Sequence, residues 1–269
     1  MPVIDHLLAS ARLRQFLWKL WYPYLTRKLR ADDVVFLNYA FEEMSPAPLA
    51  LDQSDEPNRA SIQLYHHVAS PADLRGKKIL EISCGHGGGA SFLARTCRPA
   101  AYTGLDLNPS GIAFCRQRHR HVEGLNFVQG DAQNLPFADA TFDVVVNVEA
   151  SHCYPSFPRF LQEVSRVLRP GGDFAYTDFR FRSQWTEWEN AISSTPFQMR
   201  QAREINAEVL RGMDRNSGRS LALILRHLPA FMHGLGRDFA GVKGSRVYTA
   251  IQDRVASYRS WHFEKPMAV

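Results

Sequence analysis

The chain has 269 residues, of which 45% are hydrophobic and 22% are charged, and its formal net charge is +5. This composition excludes a globally disordered protein and suits one main domain with additional segments, because single cores stop growing near ~250 to 300 residues. The positive charge attracts anions without selecting a partner, and since no dense basic-aromatic motif is present we expect no nucleic acid partner.

Residues 1–70 are predicted to form a helical N-terminal cap. Five apolar residues at helical spacing lead up to Pro23, which we expect to interrupt the first helix: Leu13, Phe16, Leu17, Leu20 and Trp21. Arg and Lys stand among the aromatic residues of this stretch, so peripheral contact with an anionic membrane surface is an alternative to simple packing. The Pro-rich, acidic segment 44–57 predicts a loop, and a helix is predicted from Ile62 to Ala69.

Residues 71–180 are predicted to form the core. Four short strand-like runs are separated by helix-length intervals: Ile79–Ile82, Tyr102–Asp106, Leu125–Val128 and Asp143–Val146. A fifth strand, Asp173–Phe179, is predicted after a turn at residues 168–172. This rhythm predicts an α/β fold with a parallel, Rossmann-like sheet.

The last 90 residues are predicted to complete this core and cover it. Residues 181–241 read as a helical insertion or cap, and residues 242–269 as two strands, Arg246–Ala250 and Ser257–Phe263, that complete the sheet. The aromatic and apolar residues of both caps could wall an apolar pocket. The alternative is that they only pack helices onto the sheet.

The first strand leads into a glycine-rich loop, Glu81–Ala90, which would let the backbone approach a ligand closely. Alone, this loop would equally suit a nicotinamide dinucleotide. Asp106 ends the second strand, where a carboxylate can bind both hydroxyls of a ribose, although a helix N-cap is an alternative role. Asp131 follows the third strand and could help to read an adenine amino group.

Polar residues that end the fourth and fifth strands suggest an acceptor site. His152 follows the fourth strand, and Asp178 at the end of the fifth should lie beside it, where its carboxylate would orient the imidazole. Together they could take a proton from an acceptor hydroxyl. A carboxylate acceptor would need only a hydrogen bond from His152 or Tyr24. A purely structural role for His152 stays open.

The cysteines and the hydropathy of the chain indicate which cross-links, metal sites and membrane segments to expect. Cys84, Cys97, Cys115 and Cys153 lack paired spacing, so we expect neither disulfides nor a bound metal. No apolar run reaches ~18 residues, and the N-terminus lacks the pattern of a signal peptide. We therefore expect a cytoplasmic protein, with peripheral membrane association as an alternative.

The order of these motifs resembles that of class I S-adenosylmethionine-dependent methyltransferases. The glycine loop, the ribose acid, Gly-Asp-Ala with Leu-Pro-Phe, Phe-Asp-Val-Val and Leu-Arg-Pro-Gly-Gly follow one another between Lys78 and Asp178. The resemblance implies S-adenosylmethionine as cofactor and S-adenosylhomocysteine as product. The cofactor-binding residues that it implies are Glu81, Ser83, Cys84, Gly85, Gly87, Asp106, Leu107, Asp131, Ala132, Asn147 and Glu149. Ser83 departs from the family, which usually has glycine there.

Three further segments look like mycobacterial lipid methyltransferases, namely 55–60, 83–90 and 148–155, together with Trp18–Pro23. That group includes fatty-acid O-methyltransferases and phthiotriolone/phenolphthiotriolone dimycocerosate methyltransferases. The resemblance implies a hydrophobic lipid acceptor, with the carboxylate of a fatty acid favoured and a hydroxyl of a phthiotriolone-type lipid as the alternative. A non-catalytic, lipid-associated cofactor-binding protein and a homo-oligomer with exchanged cap helices also stay open.

Overall fold

The short apolar runs of the sequence form strands of one seven-stranded sheet, and the intervals between them form helices that pack against it. The computed structural model describes residues 21, 23–44 and 48–267. The sheet order is β3-β2-β1-β4-β5-β7-β6. Its strands are β1 (Lys78–Ile82), β2 (Ala101–Asp106), β3 (Leu125–Gln129), β4 (Phe142–Val148), β5 (Leu168–Phe181), β6 (Gln198–Glu204) and β7 (Ala256–Glu264).

Strands β1 to β5 are parallel, and their apolar residues are buried on both faces of the sheet. Ile79 and Leu80 are neighbours in β1 but belong to different hydrophobic clusters, because successive side chains of a strand point to opposite faces. Strand β1 pairs with both β2 and β4, so the chain order reverses there. Open α/β sheets bind ligands at the carboxyl ends of the strands beside such a reversal.

Besides residues 23–29, eight α-helices lie in the described part of the chain. They are α1 (Arg59–Ala69), α2 (Gly88–Cys97), α3 (Pro109–Arg118), α4 (Phe157–Val167), α5 (Trp185–Ser193), α6 (Asn206–His227), α7 (His233–Phe239) and α8 (Arg246–Gln252). Residues 23–29 are also helical and are called the 23–29 helix below. Leu25 of this helix packs with Ile224, Leu228 and Val242, which fastens it to α6 and its neighbours.

The C-terminal half differs from the sequence prediction in three places. The insertion 181–241 is not wholly helical, because it contributes the edge strand β6, whose residues are nearly all exposed and so carry no alternating apolar pattern. The predicted strand Arg246–Ala250 is wrong, since these residues begin α8. Ser245 caps that helix by accepting a hydrogen bond from the Tyr248 amide. The predicted turn at 168–172 is instead the irregular first part of β5.

At the N-terminal end, Pro23 is itself helical, as the fixed φ of proline allows, and the predicted interruption of the first helix falls on residues outside the described ones. The rest of the predicted first helix, including most of its basic residues, lies outside the described residues. The predicted helix from Ile62 to Ala69 is confirmed within α1. In the described residues, no helix has the length and apolar character needed to cross a membrane.

Candidate active site

A cavity of about 450 Å³ opens at the carboxyl ends of β1, β2 and β4, a size typical of small-molecule sites. Eight of the predicted site residues line it: Ser83, Cys84, Gly85, Asp106, Leu107, Asp131, Ala132 and Glu149. Its opposite wall comes from the segment Val35–Asn38, which the sequence did not single out. The only sequence signal for that segment is its short apolar run.

Asp106 organises the loop that follows β1. Its carboxylate oxygens accept hydrogen bonds from the amides of Gly85, at 2.9 Å, and of Asn108, at 2.8 Å. Asn108 itself caps α3, so Asp106 does not have the alternative N-cap role. Burial raises the pKa of Asp106 to about 6. Both oxygens keep lone pairs that a ligand hydroxyl could use.

The loop holds two left-handed residues at the cavity floor. Ser83 has φ of 60° and Gly85 has φ of 56°. Ser83 shares a 2.7 Å hydrogen bond with the Tyr154 hydroxyl, which holds a non-glycine residue in this conformation. A Cβ atom on Gly85 would lie 3.3 Å from Leu37, so the loop and the opposite wall pack closely.

Glu81, Gly87 and Asn147 lie behind the lining rather than in it. Glu81 is fully buried and accepts hydrogen bonds from Tyr65, at 2.9 Å, and Tyr102, at 2.8 Å. Burial raises the pKa of Glu81 to about 7. Since Tyr65 lines the cavity, Glu81 acts on the site through this tyrosine.

Asn147 joins β4 to the loops on either side. Its Nδ2 donates to the Ile82 carbonyl, at 2.9 Å, and to the Tyr154 hydroxyl, at 3.0 Å. Its Oδ1 is buried and has no hydrogen-bond partner among the described residues. Asn147 thus supports Ser83 and Tyr154 from beneath.

The third side of the cavity follows β3. Asp131, Ala132 and Gln133 line it, and Asp131 accepts a 2.9 Å hydrogen bond from the Gln133 amide. This contact holds the loop in a turn and leaves the second carboxylate oxygen of Asp131 for another donor.

Glu149 closes the cavity at the end of β4, in a left-handed conformation with φ of 53°. Its Oε2 accepts hydrogen bonds from the Tyr39 amide, at 2.8 Å, and the Tyr258 hydroxyl, at 2.6 Å. Burial raises the pKa of Glu149 to about 8, against the opposing effect of the Tyr258 hydrogen bond. The side chain is therefore largely protonated at neutral pH.

The structure brings His152 and Asp178 together beside this wall. His152 Nδ1 donates to Asp178 Oδ1 at 2.8 Å, and Arg180 Nη1 lies 3.0 Å from Asp178 Oδ2. Burial would raise the pKa of Asp178, but Arg180 and His152 hold it well below its usual range. Burial alone would lower the pKa of His152, but Cys153 and Asp178 outweigh it, so that pKa is raised. Cys153 lines the cavity, whereas His152 is not among its lining residues.

Tyr24 is not brought to the cavity. Its ring stacks on Trp21 at 5.9 Å and lies beneath the ammonium group of Lys28. It packs against the cluster that joins the 23–29 helix to α6. Helical spacing could not show which face of this helix turns towards the cavity, and Pro23 lines it instead.

Comparisons with known proteins agree with this architecture. A family model described as a methyltransferase domain matches residues 80–176. The chain is 56% identical over 248 residues to the phthiotriol/phenolphthiotriol dimycocerosates methyltransferase of Mycobacterium tuberculosis, covering 92% of each chain. It is 52% identical over 257 residues to the fatty-acid O-methyltransferase of Mycolicibacterium smegmatis, covering 96% of this chain and 93% of that one.

Among solved structures, the geranyl diphosphate C-methyltransferase of Streptomyces coelicolor A3(2) matches with a TM-score of 0.69 at 15% identity, covering 94% of this chain and 97% of that chain. At this identity the likeness concerns the fold alone. The predicted α/β fold with a Rossmann-like class I methyltransferase sheet is confirmed. The chain belongs to the S-adenosylmethionine-dependent methyltransferases, in the group that contains these two mycobacterial relatives.

Proposed function

We propose that this enzyme transfers a methyl group from S-adenosylmethionine to an oxygen atom of a hydrophobic lipid acceptor. The observation that carries the proposal is that one cavity is lined both by Asp106 and by the apolar wall formed by Val35, Phe36 and Leu37. The names of the two mycobacterial relatives, which concern lipids, support this choice of acceptor.

The residues of the cavity fit the cofactor. Asp106 would accept hydrogen bonds from the ribose hydroxyls with the lone pairs that Gly85 and Asn108 leave. The loop from Ser83 to Gly85 would hold the methionine part, and Asp131 with Ala132 would flank the adenine. When bound, the cofactor supplies an electrophilic methyl group. The protein then contributes mainly the alignment of the acceptor oxygen with it.

We propose the carboxylate of a fatty acid as the first acceptor. The raised pKa of His152 favours its protonated imidazole, which would donate a hydrogen bond to an anionic oxygen that enters beside the lining residue Cys153. Asp178 is fully buried and already paired with Arg180, so it would act through His152 as a positioning residue.

A lipid hydroxyl is the second candidate, and the polarity of the cavity favours it. No Lys or Arg side chain is among the described lining residues, and Asn38 Oδ1 in the wall is buried without a partner. Such an acceptor atom pairs with a hydroxyl donor rather than with a carboxylate. His152 would then have to lose its proton and accept that of the hydroxyl through Nε2.

Methyl-labelled cofactor tests both candidates when mixed with long-chain fatty acids and with long-chain secondary alcohols. Label in the acids, at a rate that falls as pH rises through the pKa of His152, supports the carboxylate. Label in the alcohols, at a rate that rises with pH, supports the hydroxyl. Transfer to a sugar or an amine and to neither lipid would show the assignment to be wrong. Tight cofactor binding without any transfer would favour the non-catalytic alternative.

His152→Ala tests the role of the imidazole in the same assay. We expect turnover to fall about a hundredfold while the Kd of the cofactor stays nearly constant, because His152 is paired with Asp178 and is not among the proposed cofactor-binding residues. His121→Ala, which changes an exposed histidine, is the matched control. An equal loss of turnover and cofactor affinity in His152→Ala would make the residue structural.

We also propose that the protein is cytoplasmic and touches membranes through its N-terminal basic aromatic stretch. Within the described residues, Arg27 and Lys28 are exposed on the 23–29 helix, which supports the idea. Sedimentation with anionic and neutral vesicles tests it, and equal binding to both would contradict it. The proposed homo-oligomer is tested by light scattering.

A further inference from the structure

A second, smaller chamber of about 120 Å³ adjoins the cofactor cavity. Its walls come from three elements that are distant in sequence: the 23–29 helix with residue 21, the segment Val34–Tyr39, and the helices α6 and α7. Phe36, Leu37 and Asn38 line both spaces, so the two spaces lie side by side along this segment.

The chamber is lined mainly by hydrocarbon. Trp21, Leu25 and Leu29 face it from one side, and Leu223, Ile224 and Phe239 from the other. The polar side chain of His227 is engaged by Asp32. Because burying apolar surface is favourable, an apolar ligand would bind most strongly to such a lining.

The shared wall places this chamber next to the reactive end of the site. Leu37 packs closely against Gly85 of the cofactor loop, because a Cβ atom on Gly85 would lie 3.3 Å from the Leu37 side chain. Asn38 belongs to the same segment. Its Nδ2 donates hydrogen bonds to the carbonyls of Tyr39 and Ser61, which fix the side chain. A ligand that filled both spaces would therefore keep its polar end at the cofactor loop.

We propose that this chamber receives the hydrocarbon chain of the acceptor beyond the first carbons after the reacting oxygen, and thereby selects acceptors by chain length and branching. The inference rests on the proposed lipid acceptor and adds the place where its chain binds. The specificity-determining positions are on α6, where Ser220 and Leu223 line the chamber and are only partly buried.

Chain-length dependence of kcat/KM tests the proposal. In the wild-type enzyme we expect kcat/KM to rise about fourfold per added methylene until the chamber is full. Ser220→Phe fills the chamber, so the longest chains should lose about sixteenfold or more, equal to two methylenes or more, while the shortest change little. Ala222→Phe adds the same ring on an exposed position of α6 and should follow the wild type. Equal chain-length profiles of all three proteins would overturn the proposal.

Leu223→Ala provides a change in the opposite direction, because it enlarges the chamber and should move the preference to longer or more branched chains. It keeps the proposal testable if Ser220→Phe unfolds, which thermal denaturation would reveal. If the wild-type enzyme methylates no lipid, the proposed function fails. Equilibrium binding of a labelled long-chain fatty acid and alcohol then still tests the chamber, since Ser220→Phe should weaken that binding and Ala222→Phe should not.

Discussion

Glu149 makes the stability of the folded enzyme depend on pH in an unusual direction. Its carboxyl has a pKa of 4.5 as a free side chain and of about 8 in the folded protein, chiefly because burial disfavours the charged form. A group with a raised pKa stabilises the fold at low pH, and this contribution is lost as pH rises between the two values. From pH 5 to pH 8 the free energy of unfolding therefore falls by about 2 to 4 kcal/mol. The lower end of this range allows for solvent reaching the side chain from the cavity.

Glu149→Gln replaces the titrating carboxyl with an amide that stays neutral. It should therefore abolish the loss of stability between pH 5 and pH 8. We expect the free energy of unfolding of the variant, relative to the wild type, to increase by about 2 to 4 kcal/mol between pH 5 and pH 8. Urea denaturation followed by circular dichroism at several pH values measures it. Glu163→Gln is the control, because the hydrogen bond from Arg166 lowers the pKa of Glu163 and keeps it ionised throughout this range. Parallel stability curves for wild type and Glu149→Gln would refute the reasoning.

Three further changes test the site and its scaffold. Asp106→Asn should weaken cofactor binding about tenfold or more, because one amide oxygen cannot replace a carboxylate that holds Gly85, and an unchanged Kd by calorimetry would contradict the ribose role. Gly212→Ala should cost about 1 to 3 kcal/mol of stability, since its Cβ would lie 2.4 Å from the Ala40 backbone, and thermal denaturation measures this. Trp188→Ala should cost about 3 to 5 kcal/mol in urea denaturation, because the ring is almost wholly buried; a loss below 1 kcal/mol would contradict it.

The cofactor half of the site could be predicted from sequence because its determinants are local. Ser83 and Gly85 lie within three residues of the end of β1 and Asp106 is the last residue of β2, and neighbouring parallel strands end at the same edge of the sheet. The same geometry explains the meeting of His152 with Asp178, since β4 and β5 are paired. Asp178 itself lies within β5, beside the end of β4, because Val148 pairs with Thr177.

The other half depends on contacts between distant segments and left no comparable pattern. Phe36 and Asn38 reach the cavity only because their segment packs against the glycine loop, where the Gly88 amide donates to the Val35 carbonyl. Strand β6 has exposed side chains and forms by pairing with β7, so its sequence shows no period of two. Tertiary contacts decide both features.

The 23–29 helix contacts both the glycine loop and the proposed chain site. Thr26 is buried and contacts His86 of the glycine loop at 2.8 Å, and Asn108 donates to the same hydroxyl at 3.1 Å. The preceding residue, Leu25, faces the apolar chamber. One helical turn therefore touches the glycine loop on one side and the proposed chain site on the other. Substitutions on this helix should alter both affinities together, whereas those at Ser220 of α6 should alter acceptor choice alone.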